Sequence, residues 1–138
     1  VFLLDTNVVS ELRRARPHGG VVAWLASLPE TQVHISAYSV AEFQLGIERT
    51  RARDPARAAA LDRWVDEVVA SFSVLAMEAA TFRVWAQLRH GRSNSFEADA
   101  MIVATAAVHG LTVATRNVRD FQALGARVLD PFGWQPAI

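Results

Sequence analysis

Short apolar runs alternate with longer stretches of helical periodicity almost from end to end of the chain. The runs Val1–Leu4, Val33–Ser36, the short Val74–Leu75, Thr112–Thr115 and Arg127–Leu129 predict strands. Helices are predicted at about Val21–Leu28, Ala37–Thr50, Pro55–Ser71, Glu78–His90 and Phe96–His109, with a short turn near Asp120–Ala123. A further helical pattern runs through Val8, Val9, Glu11 and Leu12, directly after the first strand. Strands and helices in alternation predict an α/β fold, a parallel sheet with covering helices. The punctuation agrees. Gly19-Gly20 precede one helix and Pro29 follows it, Ser36 is placed to cap the next, and Glu78 puts charge at a helix's positive end. Gly110 stands where a helix must stop. No repeat, low-complexity tract or linker divides the chain, so one domain over residues 1–138 is expected.

One stretch breaks the alternation. The helices Ala37–Thr50 and Pro55–Ser71 meet around Arg51-Ala52-Arg53-Asp54 with no strand between them, which predicts a helical hairpin projecting from the sheet. Its arginines, Arg49, Arg51, Arg53 and Arg57, are most simply a solvated face, with a nucleic-acid surface as the alternative. Glu48, Asp54 and Asp62 dilute the positive field there.

Composition narrows the chemistry. A chain of 138 residues buries roughly 70% of its unfolded surface in a single domain. It is 51% hydrophobic and 20% charged, ordinary for a compact protein. There is no Cys, which excludes disulfides, thiolate zinc sites and Cys nucleophiles. All 14 basic residues are Arg, so a Walker A phosphate loop, which needs a Lys, is excluded too. A GC-rich genome is the bland source of the same bias. No apolar run approaches the roughly 20 residues of a spanning helix. Asp5 interrupts the apolar start and no basic segment precedes it, so no signal peptide and a cytoplasmic location are expected, without a membrane partner.

Three acids resist a surface explanation. Asp5 ends the first strand, Glu42 lies in the first turns of the helix after Val33–Ser36, and Asp99 is early in a helix apolar nearly all round. Parallel strands deliver their following helices to one sheet edge, where open α/β sheets place chemistry. The tip of the first strand, the start of the Glu42 helix and Thr115-Arg116-Asn117 should therefore converge. Converging carboxylates repel, so such a group needs a cation or raised pKa values. Oxygen donors without His or Cys nearby favour Mg²⁺ or Mn²⁺. Each acid also has a plainer reading. Asp5 and Asp99 are candidate helix caps, and Glu42 a candidate ion-pair partner of Arg49 or Arg116. The four His and four Trp residues read as surface or packing groups.

With these residues in hand, the chain resembles the PIN-domain family, in particular the VapC-type toxins of toxin–antitoxin systems and their FitB-like branch. The matching segments are Leu3-Leu4-Asp5-Thr6-Asn7-Val8-Val9-Ser10-Glu11, Ser39-Val40-Ala41-Glu42-Phe43-Gln44-Leu45-Gly46, Ala98-Asp99-Ala100-Met101-Ile102-Val103-Ala104-Thr105-Ala106 and Leu111-Thr112-Val113-Ala114-Thr115-Arg116-Asn117. The resemblance implies a five-stranded parallel sheet with helices on both faces and Mg²⁺-dependent cleavage of RNA. It places the family's acids on Asp5, Glu42 and Asp99. The fourth acidic position falls on Asn117, a departure for which Asp120 is the candidate substitute. It also implies a homodimer and a VapB- or FitA-type antitoxin, with promoter DNA bound only indirectly, through that antitoxin.

The mechanism suggested is metal-assisted phosphodiester hydrolysis, with Mg²⁺ (or Mn²⁺ in its place) held by Asp5 and Asp99 and completed by Glu42. Thr6, Asn7 and Thr115 would fix carboxylate orientation, and Arg116 would meet a phosphate or a site acid. The rivals are a catalytically weak PIN-domain adaptor, a phosphoaspartate hydrolase and a pure interaction module. The hydrolase lacks a Lys and has Asn7 where a second Asp is wanted. The interaction module leaves the acids unexplained.

Overall fold

A computed structural model describes residues 1–137. Five strands, β1 (Phe2–Leu4), β2 (Val33–Ser36), β3 (Ser73–Leu75), β4 (Thr112–Ala114) and β5 (Val128–Leu129), form one sheet in the order β3-β2-β1-β4-β5. Every neighbouring pair is parallel. The chain moves outward from β1 to β2 and β3, then returns to the other side of β1 as β4. The switch in winding direction thus falls between β1 and β4, where a parallel sheet opens a crevice at its carboxyl edge.

Side chains alternate across the sheet, and that period of two builds two cores. Leu4 and Ala114 point to one face, where Val8 and Val9 of α1 (Thr6–Glu11) and Val21 and Trp24 of α2 (Gly19–Ala26) pack on them. Leu3 and Val113 point to the other, against Ile102, Val103 and Ala106 of α6 (Glu97–His109) and Phe121 of α7 (Val118–Ala123). Leu3, Leu4, Val113 and Ala114 are fully buried, so the short central strands carry apolar residues facing both ways.

The hairpin consists of α3 (Ala37–Arg51) and α4 (Pro55–Ser71). Ser36 accepts the Tyr38 amide at 3.1 Å and so caps α3, while Asp54 accepts the Arg57 amide at 3.1 Å and caps α4, which opens on Pro55. Ile47, Ala58 and Val65 make a small separate core for the hairpin, but Val68, near the end of α4, belongs to the main core. The hairpin's base is docked and its tip stands apart. Between α4 and α6 the chain adds β3 and α5 (Ala79–Arg89).

Most boundaries move from their expected places by a residue or two. The helix expected at Val21 starts at Gly19, because His18 Nδ1 accepts the Gly20 amide at 3.1 Å and caps it. Gly20 is required there: a Cβ would lie 2.8 Å from the Phe132 carbonyl oxygen. Phe96 belongs to a 3-10 turn, Asn94–Phe96, and not to α6. Thr115 lies one residue beyond β4, although its amide still reaches Leu129 at 2.9 Å. The expected turn near Asp120 is a helix from Val118. Gly110 ends α6 in the left-handed region, φ 66°, as expected. No helix of the described residues is long and apolar enough to cross a membrane.

Candidate active site

The site forms at the carboxyl ends of β1 and β4. The Asp5 amide donates to the Ala114 carbonyl at 2.9 Å, extending the β1–β4 pairing by one step and fixing the residue at the switch point. Asp5 occupies the N-cap position of α1, yet its side chain caps nothing. Its Oδ2 instead accepts the Thr115 hydroxyl at 2.9 Å, and the Thr115 Oγ1 accepts the Asn117 amide at 2.9 Å. The Asp5 carboxylate thus makes no capping hydrogen bond of the usual kind and is held chiefly by Thr115.

Glu42 is held from the opposite side. The Thr6 hydroxyl donates to Glu42 Oε1 at 2.6 Å and stands 2.8 Å from the Ser39 hydroxyl. Thr6 has one proton and gives it to the carboxylate, so Ser39 donates to Thr6. Ser39 is fully buried, and this relay is how it is satisfied. Sequence reasoning missed Ser39 as a positioning group; the available signal was its place three residues before Glu42, one helical turn away.

Asp99 is the third residue of α6 and caps nothing, since the N-cap position is Phe96. Its carboxyl is pushed above the usual carboxylate range by burial first, then by the charges of Asp120 and Glu42. Asp5 is raised from 3.8 to about 6, again chiefly by burial, with Asp99 and Glu42 adding repulsion and the Thr115 hydrogen bond opposing it. Tyr38, at the start of α3, is pushed up by burial and then by Glu42, Glu97 and Asp99, which puts a protonated phenol beside the acids. Asp5, Glu42 and Asp99 thus share one electrostatic neighbourhood with Asp120.

The other expected residues divide. Asn117 is exposed, and its side chain makes no hydrogen bond among the described residues; its amide serves Thr115. Asn7 is exposed on α1 and is likewise tied to none of the acids. Arg116 does not pair with a site acid: its guanidinium lies 4.2 Å from the centre of the Phe132 ring. Glu42 pairs with neither Arg49 nor Arg116, because the ion pairs of the described residues join only Arg14 to Glu11 and Arg51 to Glu48 and Asp62. His18 and His34 are used elsewhere, in the α2 cap and in a 2.9 Å bond to Ser73 across the sheet.

No three His, Asp or Glu side chains of the described residues stand close enough together to form a finished metal cage. A hydrated Mg²⁺ does not need one, since that ion keeps several waters and takes one or two carboxylates. The donor set is all oxygen, and its charges have no cationic partner. The residues present fit such an ion.

Comparison with known proteins agrees with this fold. Residues 2–126 match the family model described as PIN domain. Toxin FitB of Neisseria gonorrhoeae is 36% identical over 139 residues, covering 96% of this chain and 99% of the relative. VapC ribonuclease Y4jK of Sinorhizobium fredii is 34% identical over 143 residues, covering 99% and 100%. The solved structure of FitAB bound to an IR36 DNA fragment superposes with a TM-score of 0.81 at 34% identity, covering 99% of each chain. With its acids at the switch point of a five-stranded parallel sheet and relatives matched over nearly their whole length, the chain belongs to the PIN-domain family, alongside FitB and VapC.

Proposed function

We propose that this chain is a Mg²⁺-dependent endoribonuclease, the toxin of a VapBC-type toxin–antitoxin pair, acting as a single PIN domain. The observation that supports the reading is the buried Asp5 at the sheet's switch point, its carboxyl raised by burial first and then by the charges of Asp99 and Glu42, with no ion-pair partner for these acids among the described residues. Such a group costs stability in the free protein and is relieved by a cation. Asp5 and Asp99 would hold Mg²⁺, or Mn²⁺ in its place. When bound, the ion supplies polarisation of a phosphoryl oxygen and a lowered pKa for its water.

The chain's own residues do the rest. Thr115 holds Asp5 in one orientation and favours its charged form. Thr6, supported by Ser39, holds one oxygen of Glu42 and leaves the other to orient the attacking water. Asp120 adds negative charge beside Asp99, the role expected of a fourth acid. RNA presented as an exposed single strand or loop suits an open edge of this kind, where backbone and unstacked bases are accessible.

The matched relatives are named as a toxin and a ribonuclease, and FitAB was solved on DNA. By that likeness the partners are a VapB- or FitA-type antitoxin, promoter DNA engaged through the antitoxin, and a second copy of the chain. Exposed Phe82 and Val108, on α5 and α6, are available apolar surface for that dimer. The test is cleavage of structured and unstructured RNAs in Mg²⁺, Mn²⁺ or EDTA, beside Asp5→Asn and Asp99→Asn. Cleavage should need the metal and vanish in both folded variants. Activity persisting in EDTA would overturn the assignment.

A further inference from the structure

A cleft of about 430 Å³ runs from Thr6 and Glu42 outward between α1 and the helical hairpin. Its floor includes Phe43 and Trp64, which pack edge to face at 5.0 Å, and three arginines line it: Arg13, Arg53 and Arg57. Arg13 is carried on the Trp64 ring, its guanidinium 5.8 Å from the ring centre. The hairpin's arginines are not equivalent. Arg51 is spent on Glu48 and Asp62, at 2.9 and 2.7 Å. Arg13, Arg53 and Arg57 have no ion-pair partner among the described residues, and the nearby carboxylate of Asp54 is engaged in capping α4. Three uncompensated guanidiniums thus line a groove whose inner end is a site acid.

Resting on the ribonuclease reading, we infer that Arg13, Arg53 and Arg57 form a phosphate-binding rim for the single-stranded RNA flanking the scissile bond. Charge complementarity and continuity with the acid cluster favour this occupant. A strand with its scissile phosphate at Asp5 and Asp99 leaves past Glu42 and must continue somewhere, and the cleft is the path lined with positive charge. A groove that joins arginines to aromatic rings, as Arg13 on Trp64 does here, is the usual path of a single nucleic-acid strand. An acidic peptide is the competing occupant.

The test measures binding of a fluorescent 12-nucleotide single-stranded RNA in EDTA, where no metal-dependent cleavage occurs, over a range of salt. Each lost phosphate contact on a single strand lowers the slope of log K against log salt by about 0.7, so Arg13→Gln/Arg53→Gln/Arg57→Gln should lower it by about 2. Arg53→Gln and Arg57→Gln should each remove about one contact's share, in case the triple variant folds poorly. Arg51→Gln, which breaks only its two existing ion pairs, should leave the slope unchanged. In Mg²⁺, the cleft variants should raise KM for the long RNA and leave cleavage of a dinucleotide, which has no flanking phosphate, as in the parent. An unchanged slope in all cleft variants overturns the inference. So does arginine-dependent binding of a polyglutamate peptide that RNA fails to displace. If no RNA is cut but the slope falls as described, the rim stands and only the hydrolytic reading fails.

Discussion

Asp5 should make the metal-free protein less stable at neutral pH than a version without its charge. The substitution is Asp5→Asn, which keeps the shape and an acceptor for the Thr115 hydroxyl. In the folded protein the Asp5 carboxyl is raised from 3.8 to about 6, so ionising it costs more there than in the unfolded chain. Below 3.8 the group is protonated in both states and contributes no difference. As pH rises toward 6 the unfolded chain releases its proton first, and folding stability is lost progressively; above 6 the loss is complete. A displacement of that size corresponds to roughly 3 kcal/mol, an upper figure because the buried amide has its own desolvation cost. The side chain is only 5% exposed, so solvent screening reduces it little.

Urea unfolding followed by tryptophan fluorescence, in EDTA, at pH 7.5 and pH 4, measures this directly. The variant should be the more stable protein at pH 7.5, by up to about 3 kcal/mol or about 10 °C in Tm, and most of that advantage should be gone at pH 4. Mg²⁺ should then raise the parent and leave the variant where it was, because an ion bound only by the folded parent stabilises it by about 2.7 kcal/mol at a hundred times its Kd. A variant less stable than the parent at pH 7.5, or equally favoured at both pH values, would refute the reasoning that burial and repulsion set the state of Asp5.

Three further outcomes test the supporting groups. Thr115→Val removes the bond that favours ionised Asp5, so Asp5 should rise further, the acid limb of the pH–rate profile should move to higher pH, and cleavage should fall roughly 10–100-fold. Thr6→Val frees Glu42 and strands the buried Ser39 hydroxyl; kcat should drop by a similar factor, roughly 10–100-fold, with stability reduced by about 1–3 kcal/mol in denaturant titrations. Gly20→Ala drives a methyl to 2.8 Å from the Phe132 carbonyl and 3.1 Å from that of Pro131, backbone atoms that move only together. It should cost about 1–3 kcal/mol by thermal unfolding, whereas Gly19→Ala, with open space around it, should be neutral or slightly stabilising.

The fold was legible because its signals are local and repeated. β2 and α4 have their predicted bounds, Val33–Ser36 and Pro55–Ser71, where Ser36 caps the helix after β2 and Asp54 with Pro55 opens α4. Where the reading slipped, a side-chain contact decided. Gly19-Gly20 were read as preceding the helix, but the His18 cap draws both glycines into α2. The three acids were read together from their positions, a strand tip, the first turns of the helix after the second strand, and an early turn of an apolar helix. Ser39 was not, since a serine in a helix is ordinary until Thr6, 33 residues earlier, is seen to stand 2.8 Å away. The hairpin arginines were half legible: Arg51 and Glu48 are three apart on α3, but the pairing of Arg51 with Asp62 of α4 depends on how the hairpin closes.

The neutral Asn117 stood in the sequence as a missing charge, and the packing of α7 changes what that means. Residues 117 and 120 are three apart, so an acid moved from the first to the second remains on nearly the same side of one helical turn. Asn117 sits at the helix's entry, its amide occupied by Thr115, and Asp120 lies in the first turn of α7. It is the charge of Asp120, ahead even of Glu42, that adds to burial in raising Asp99. Without Asp120, Glu42 would be the one charge adding to burial at Asp99. Here two carboxyls, Asp5 and Asp99, are raised, each by burial first and then by the charges of neighbouring acids. The weak-adaptor reading began from a deficit of negative charge, and on the proposed reading Asp120 supplies charge near Asp99 that Asn117 does not.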